Sequence, residues 1–385
     1  MQSTIRVALL ADSPLNSLKR GCSGRLSGGA TWLPQLANQF AKRREFEFYW
    51  ISFDPSLRKP QREVYEGITY FAYPKIRWQI DDLAGLLPSR IVLNRALRRI
   101  KPHVIHAWGS ERTYASVLAR TKTPTIFSLQ GLLRRCHEVG GLPRHLSWRL
   151  ATVRERRFVN SANIVTAESA WAISLLKKYY SPRETRLVEY GVHPSFYSVP
   201  WQPTAEVPYF LFVGSLTELK GIPTLIKAVK NCTTSGWKLY LVGEGPLKSW
   251  IIDQKVDNVE CLGVLSWADL QSKLSGAWAL IHPTKADTSP NSVKEARVVG
   301  LPVITTSEGG QAGYVHHGEN GLIVPVSKPK RLASAIDLLA SHFDLVKRLG
   351  ATHRARDREY FRPEKTAESF ISLYLELARR AAERP

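Results

Sequence analysis

Cysteine is scarce in this sequence, and its few cysteines show no paired spacing. Cys22, Cys136, Cys232 and Cys261 are scattered over 385 residues without a CxxC pattern. Because this spacing fits neither a zinc site nor a disulfide framework, we expect a protein of the reducing cytoplasm. Long apolar runs are also missing. None approaches the roughly 18–20 residues that span a bilayer. The apolar stretch at the N-terminus is too short, and interrupted by charge too early, for a secretory signal, so we expect none.

Acidic residues are outnumbered by basic ones. The chain has 33 Asp and Glu against 54 Lys and Arg, a formal net charge of +21. This excess predicts an anionic partner, which could be nucleic acid, acidic lipid headgroups or a phosphorylated substrate. The charge is dispersed, with one local excess at 134–157, where seven Arg accompany only Glu138 and Glu155.

Short apolar strands alternate with helical stretches along the chain. The pattern begins at 5–12 (IRVALLAD) and restarts at YFLFVGS, after a Pro-rich and aromatic-rich segment at 193–208. Such alternation predicts parallel sheets with right-handed crossovers. We therefore predict an α/β protein with two doubly wound, Rossmann-like parallel-sheet domains that face a cleft. The predicted N-terminal domain spans 1–195, a linker spans 196–208, and the C-terminal domain spans 209–360. A final helix at 361–385 would pack back on the N-terminal domain.

The segment TKADTSPNSVKEARVVGLP, 284–302, predicts a helix that begins at the ligand-binding edge of the second sheet. Ser289 is a suitable N-cap, and Pro290 suits the first helical position because a proline lacks the N–H that would be unpaired there. The helix then runs to a Gly-Leu-Pro ending. Backbone amides near Asn291 and Ser292, with the helix dipole behind them, would form an anion site.

Two carboxylates flank this helix start. Asp287 lies in the loop before it, and Glu295 lies four residues after Asn291 on the same helix face. Phosphate repels carboxylates, so the two acids would bind sugar hydroxyls, because one carboxylate accepts two hydroxyl hydrogen bonds. A ligand with hydroxyls on both sides of a phosphate is a nucleotide sugar. The alternative is that Asp287 only stabilises the helix N-terminus and Glu295 is a solvated surface acid.

Three neighbouring strands are followed by glycine turns. The segment FVGSLTELKG turns at Gly214 and presents Lys220, which could neutralise a diphosphate; LVGEGP is a second such turn. Gly309 and Gly310 follow a third strand, where bare backbone amides can approach a phosphate or sugar. Taken singly, each feature is also explained by a solvated lysine or an ordinary turn.

Together these motifs resemble the donor domain of retaining glycosyltransferases of the GT-B fold, the group 1 or family four enzymes. The ordered set is FVGSLxxxKG, LVGEGP, D-x7-E-A-x3-G-L-P-V-I and EGGQAGYVxxGENGLIVP. The resemblance is strong over about 208–345 and weaker over 1–200. It implies transfer of a sugar from a nucleotide-sugar donor, UDP- or GDP-linked, with retention at the anomeric carbon and with no metal or other cofactor.

The resemblance also implies roles for individual residues. As the predicted catalytic residues, Lys220 would bind the diphosphate, Asp287 the hydroxyls of the transferred sugar, and Glu295 the ribose hydroxyls. The rest of the predicted donor site consists of Gly28, Gly29, Gly214, Ser215, Ser289, Asn291, Ser292, Gly309 and Gly310.

This chain departs from the family pattern at three positions. It has Asp287 where the family usually has Glu, Ser215 where Arg is common, and Gln130 where many members have His. The departures leave fewer fixed charges on the diphosphate and no obvious side-chain base in the first domain.

The first domain would bind the acceptor, a glycan or a lipid-linked acceptor. Four residues near its strand ends are candidates for acceptor contacts: His106, Glu111, Gln130 and Arg134. Alternatively, His106 is a core histidine and Glu111 only begins a helix. The stretch 134–157 reads as a basic amphipathic helix, which either packs with a solvated face or docks on an anionic membrane. The setting would be surface-polysaccharide or lipopolysaccharide assembly, in the cytoplasm or on the inner face of a bacterial plasma membrane.

Other functions fit parts of the sequence. Nucleic-acid binding would explain the charge, but no zinc-finger spacing or RNP-like strand is present, so no nucleic-acid partner is expected. No GxGxxG follows a strand, which disfavours a dinucleotide-dependent oxidoreductase. A nucleotide-sugar epimerase on the same two-domain plan, or a catalytically silent relative that binds sugar nucleotides, stays open at this point.

Overall fold

The computed structural model describes residues 4–19, 32–111, 113–141, 146–206 and 208–383, apart from the side chain of Trp78. The strands in these ranges are β1 (Ile5–Leu10), β2 (Phe46–Asp54), β3 (Gln61–Tyr65), β4 (Ile68–Pro74), β5 (Val104–Trp108), β6 (Thr125–Leu129), β7 (Ile164–Ala167), β8 (Thr185–Leu187), β9 (Tyr209–Val213), β10 (Lys238–Val242), β11 (Val259–Gly263), β12 (Ala279–His282), β13 (Val303–Thr306) and β14 (Gly321–Val324).

The α-helices in the same ranges are α1 (Leu15–Lys19), α2 (Leu33–Phe40), α3 (Trp78–Leu83), α4 (Leu87–Ile100), α5 (Leu133–Glu138), α6 (Leu146–Ser161), α7 (Ala170–Tyr179), α8 (Ile222–Asn231), α9 (Lys248–Asp253), α10 (Trp267–Gly276), α11 (Asn291–Val299), α12 (Pro329–Ser341), α13 (Phe343–Ala351), α14 (Arg354–Tyr360) and α15 (Pro363–Ala382). Short 3₁₀ segments lie at Tyr114–Arg120, Pro194–Phe196 and Gly310–Gly313.

The first sheet has the strand order β3-β4-β2-β1-β5-β6-β7-β8. All neighbours are parallel except β3, which pairs antiparallel with β4. Strands β5, β6 and β7 are buried along their whole length, as expected for parallel strands covered by helices on both faces. Chain order reverses between β1 and β5, so the loops after these two strands open a crevice at the carboxyl edge.

The second sheet has the order β11-β10-β9-β12-β13-β14 and is parallel throughout. Its chain order reverses between β9 and β12, where Leu211 lies opposite Leu280. The crevice of this sheet therefore lies at the loops that follow β9 and β12. The predicted α/β class with two parallel-sheet domains is confirmed.

The last helix, α15, returns to the first sheet. Phe370 and Tyr374 on α15 are fully buried in one apolar cluster with Phe40, Phe48 and Trp108 of the first domain. The chain thus crosses between the sheets twice, once after β8 and once before α15.

The predicted single helix over 134–157 is wrong. The chain forms two helices there, α5 and α6, because the intervening segment contains Gly140, whose φ of +69° is a left-handed conformation that ends a helix. No helix within the described ranges is long and apolar enough to cross a membrane.

Candidate active site

The predicted donor residues of the second domain lie on neighbouring loops at one edge of its sheet. Gly214 directly follows β9, and its N–H donates to the Val242 carbonyl at 3.0 Å. The next residue, Ser215, is exposed. Asp287 lies on the loop between β12 and α11, and Gly309 and Gly310 follow β13. The sheet topology therefore brings together residues that are up to 96 positions apart in sequence.

Lys220 and Asp287 form an ion pair that joins two of these loops. His282, at the end of β12, places its Nε2 3.3 Å from the Asp287 Oδ2. Burial alone would raise the pKa of the Asp287 carboxyl, but the nearby Lys220 ammonium and the His282 ring hold that pKa below its ordinary value. Asp287 is therefore an anion at neutral pH, paired with the Lys220 ammonium.

His282 was not predicted as a site residue. It is buried, and burial lowers the pKa of its imidazole, although Asp287 acts in the opposite direction. Its Nδ1 has no hydrogen-bond partner among the described residues. The sequence feature that could have identified His282 is its position at the carboxyl end of a central strand.

The start of α11 differs by one residue from the predicted cap. The helix begins at Asn291, and its N-cap is Pro290, which has no side chain able to cap. Ser289 instead donates its hydroxyl to Glu189 of the first domain at 2.5 Å. The predicted Ser289 cap is therefore wrong, because a buried carboxylate competes for the hydroxyl. The first backbone amides of the helix are those of Asn291 and Ser292, and amides at a helix N-terminus point toward a ligand bound there.

Gly310 allows two loops to approach closely. Its N–H donates to the Asp287 carbonyl at 2.8 Å. A Cβ at this position would lie 1.8 Å from the Thr288 carbonyl oxygen and 2.6 Å from the Ser169 Oγ. Only glycine fits there, which explains Gly310 more directly than a phosphate contact does.

Glu295 lies on α11 in a small recess beside Asn291. The recess is also lined by Trp32, His193 and Trp267. Burial raises the pKa of the Glu295 carboxyl to about 7, with Lys294 acting in the opposite direction. Asn291 lines both this recess and the cavity that holds Asp287, so the helix start lies between the two acids, as predicted. The ligand roles of these residues stay predictions.

A cavity of about 310 Å³ lies between the two domains. The second domain contributes Asp287, Thr288, Ser289 and Asn291 to its lining. The first domain contributes Asp12, Trp32, Trp108, Glu111, Tyr114, Gln130 and Glu168, among others. Two of the four predicted acceptor residues, Glu111 and Gln130, thus lie in one cavity with the predicted donor residues Asp287, Ser289 and Asn291.

Hydrogen bonds hold the two walls of this cavity together. Thr288 donates its hydroxyl to the Gln130 carbonyl at 2.6 Å, and the Ser169 hydroxyl donates to the Thr288 carbonyl at 2.7 Å. Arg135 and Glu308 add an ion pair at 3.3 Å between the domains.

The other two predicted acceptor residues lie elsewhere. His106 is fully buried, and its ring nitrogens lie 2.6 Å from the Ser128 Oγ and 2.7 Å from the Tyr374 Oη. Its imidazole faces core residues on both sides, so His106 is a core histidine. Arg134 is exposed and forms an ion pair with Glu138 at 3.3 Å, because the first turn of α5 directs it to the surface and away from the cavity lining.

Glu168 was missed as a candidate. It directly follows β7, lines the cavity between the domains and is almost fully buried. Burial raises the pKa of its carboxyl well above the ordinary value, opposed by Lys294 and reinforced by Glu189. Its position at a strand end was visible in the sequence, but its distance from Asp287 depends on how the domains meet.

A second cavity of about 500 Å³ continues from the first into the N-terminal domain. The two share Asp12, Glu111 and Tyr114. The second cavity has a largely apolar wall that includes Phe53 and Trp148. It is large enough for a sugar-sized group, since ligand pockets typically span about 300–1,000 Å³.

Two further predictions concern the N-terminal glycine loop and the absence of a metal ion. Gly28 and Gly29 lie outside the described residues. Within the described ranges, no three His, Cys, Asp or Glu side chains are grouped so as to hold a metal ion, and metal independence stays an implication of the resemblance.

Both halves of the chain match known families. Residues 207–342 match the family described as glycosyl transferases group 1, and residues 26–196 match glycosyltransferase family 4. A D-rhamnosyltransferase from Pseudomonas aeruginosa is 28% identical over 222 residues, which are 53% of this chain and 57% of that enzyme. An O-antigen chain mannosyltransferase from Escherichia coli is 23% identical over 239 residues, 58% of this chain and 63% of that enzyme. The matches thus span less than two-thirds of these curated relatives.

Solved structures share the complete architecture. Sucrose-phosphate synthase from Thermosynechococcus elongatus superposes with a TM-score of 0.79 at 19% identity, covering 97% of this chain and 99% of that one. The Anabaena protein HepE, solved with UDP-glucose, superposes with a TM-score of 0.73 at 16% identity, covering 97% and 100%. At these identities the likeness shows the fold. With a family match on each domain and this two-domain architecture, the chain belongs to the glycosyltransferases of the GT-B fold.

Proposed function

We propose that this glycosyltransferase moves a hexose-type sugar, with retention, from a UDP- or GDP-linked donor to a glycan or lipid-linked acceptor in bacterial surface-polysaccharide or lipopolysaccharide synthesis. One observation carries the proposal. The Asp287 loop and the start of α11 line the same cavity as Glu111 and Gln130 of the other domain. Side chains predicted to bind the donor and side chains predicted to bind the acceptor therefore line one crevice.

The donor would lie along the start of α11. The amides of Asn291 and Ser292 and the Lys220 ammonium would bind the diphosphate, because a helix N-terminus and a nearby cation both favour anions. Asp287 would accept hydroxyls of the transferred sugar. Glu295, in its recess on the other side of Asn291, would accept ribose hydroxyls. The structural neighbour HepE, solved with UDP-glucose, supports a nucleotide sugar as the donor.

Retention follows from attack on the face that the diphosphate leaves. The acceptor oxygen forms a bond to the anomeric carbon, the bond between that carbon and the phosphate oxygen breaks, and the departing phosphate oxygen takes the acceptor proton. The task of the protein is then to stabilise charge on the diphosphate and to hold the acceptor. Lys220 and the helix amides would perform the first part.

The acceptor would occupy the cavity of about 500 Å³ in the N-terminal domain. This cavity joins the crevice at Glu111, so a sugar bound against its Trp148 wall could present a hydroxyl to the donor. The E. coli relative that acts on O-antigen chains supports a surface-glycan setting.

The decisive test is a thermal-shift screen against UDP-, GDP- and ADP-sugars, followed by product analysis with the donor that binds. NMR of the product should show an anomeric configuration equal to that of the donor. An inverted product would contradict retention. Conversion of the sugar in the absence of any acceptor would indicate an epimerase instead, and no binding of any nucleotide sugar would overturn the proposal.

A further inference from the structure

Three helices of the N-terminal domain expose large apolar side chains. Leu83 on α3 is 78% exposed and Val153 on α6 is 73% exposed; the same three helices also expose Ile80, Leu87, Ile91 and Leu146. A single exposed apolar side chain of this size is common on protein surfaces and needs no explanation. Here six of them lie on α3, α4 and α6, which stand next to one another.

The three helices cover one region of the domain. Ser89 of α4 donates its hydroxyl to Asp81 of α3 at 2.7 Å, and Arg154 of α6 pairs with Asp82 of α3 at 2.5 Å. Helices α4 and α6 both direct their buried sides into one apolar cluster over the first sheet. Their exposed sides therefore point away from the sheet in a common direction.

Exposed arginines continue these apolar rows. On α6, Leu146, Arg149, Val153 and Arg156 follow one another at spacings of three and four residues and are all exposed, so they form one stripe. On α4, exposed Leu87, Ile91 and Arg95 share a face in the same way. This mixture of apolar and basic side chains is the composition of helices that lie in a membrane interface.

The acids of the three helices are engaged inside the domain. Asp81 is buried against Ser89, and Asp82 is paired with Arg154. Glu155 is fully buried and accepts hydrogen bonds from Ser110 and Tyr180. The outward face of α3, α4 and α6 is therefore apolar and cationic, which complements an anionic lipid surface.

We propose that the outward face of α3, α4 and α6 docks on an anionic lipid bilayer. The apolar side chains would enter the headgroup boundary while the arginines bind lipid phosphates. The cavity of about 500 Å³ is lined by residues of these same helices, including Asp82 and Trp148. Docking would hold its opening near the bilayer, where a lipid-linked acceptor lies. This last consequence rests on the proposed function, whereas the docking itself does not.

The test is flotation with vesicles of phosphatidylcholine alone and of phosphatidylcholine with phosphatidylglycerol, without any sugar donor. We expect binding only to the acidic vesicles, and weaker binding as salt is raised. The variant R149Q/R156Q should lose affinity about fivefold for each arginine, and L83N/V153N about tenfold or more. These four side chains are exposed, so the variants should fold; circular dichroism checks this.

The matched control is L338N/R331Q on α12, an exposed leucine and arginine of the C-terminal domain. It should leave vesicle binding unchanged. If the control variant lost as much vesicle affinity as the variants on α3 and α6, binding would follow the net charge alone, and the docking face assigned here would be wrong. The absence of binding at low salt, a dimer that L83N/V153N dissociates, or retention on DNA but not on vesicles would also overturn it. Thermal shifts with nucleotide sugars are measured in parallel, so failure to dock and failure to bind donor are separate results.

Discussion

At the scale of single residues, the charge arrangement around Asp287 is the clearest feature. Two loops meet through its ion pair with Lys220, and His282 approaches the same carboxylate oxygen. The sequence predicted that Lys220 and Asp287 bind one common ligand. Their direct contact depends on the distance between two loops, which no local pattern contains.

We expect Lys220→Ala to lower kcat about 10²–10³-fold, because it removes a cation from a developing negative charge. Steady-state turnover with the donor found by screening measures this. The control is Lys285→Ala, since Lys285 joins the same two loops at 3.1 Å through Glu218, an exposed carboxylate, whereas the partner of Lys220 is the largely buried Asp287. Near-normal turnover of Lys220→Ala would refute the catalytic role.

Glu295 should make donor binding depend on pH. Its pKa is raised from 4.5 to about 7 by burial, so below pH 7 the carboxyl is increasingly neutral and accepts ribose hydroxyls less well. We expect donor affinity to fall as pH drops from 8 to 6. Glu295→Gln should weaken binding about tenfold and remove this pH dependence; titration calorimetry at several pH values decides.

The ionised carboxylate of Glu295 should lower the free energy of unfolding. Because the folded pKa lies above the unfolded one, unfolding releases a proton between pH 4.5 and 7, and stability falls as pH rises through that window. At pH 8, Glu295→Gln should therefore raise the melting temperature by a few degrees. The exposed Glu260→Gln is the control and should change it little.

At the scale of elements, helix α11 is fixed by buried charges. Lys294 donates to Glu189 at 3.0 Å and to the Tyr190 carbonyl at 2.9 Å. Arg297 pairs with Asp357 at 2.8 Å. Helix α11, which carries predicted donor residues, is thus bound to the first domain on one side and to α14 on the other.

We expect Lys294→Met to destabilise the protein by about 3–5 kcal/mol, because it leaves the Glu189 carboxylate buried without its cation. Adding Glu189→Gln should recover part of the loss. Urea denaturation measures both, with Lys248→Ala as the control, since its pair with Glu244 is exposed and should contribute little to stability. A loss in Lys294→Met no larger than that of the control would contradict this account.

Elements were predictable from sequence to different degrees. The strand-and-helix alternation predicted both parallel sheets because it reflects local periodicity. The antiparallel strand β3 was not predicted. It is joined to β4 by Glu66 and Gly67, both with positive φ, a two-residue turn that an Asn-Gly or Asp-Gly pair would have signalled more clearly. The Ser289 cap was wrong because Glu189, 100 residues away, binds the hydroxyl.

At the scale of the whole molecule, α15 ties the end of the chain to the first domain. We expect Phe370→Ala to destabilise the protein by about 3–5 kcal/mol, since its ring is fully buried between the helix and the sheet. Leu375→Ala, on the same helix but 46% exposed, should cost far less. Comparable losses in thermal or urea unfolding would show that α15 contributes through helix formation rather than through this packing.

The amino-acid sequence by itself determined the fold class, the family and the order of the glycine-turn loops, because periodic apolar patterns and glycine turns depend on contiguous residues. Only the tertiary structure decided which residues share the crevice. It placed His106 in the core and Arg134 at the surface, brought Glu168 into the crevice and set His282 against Asp287. The physical reason is that burial and electrostatic environment arise from contacts between distant segments, and these contacts form only when the two sheets meet.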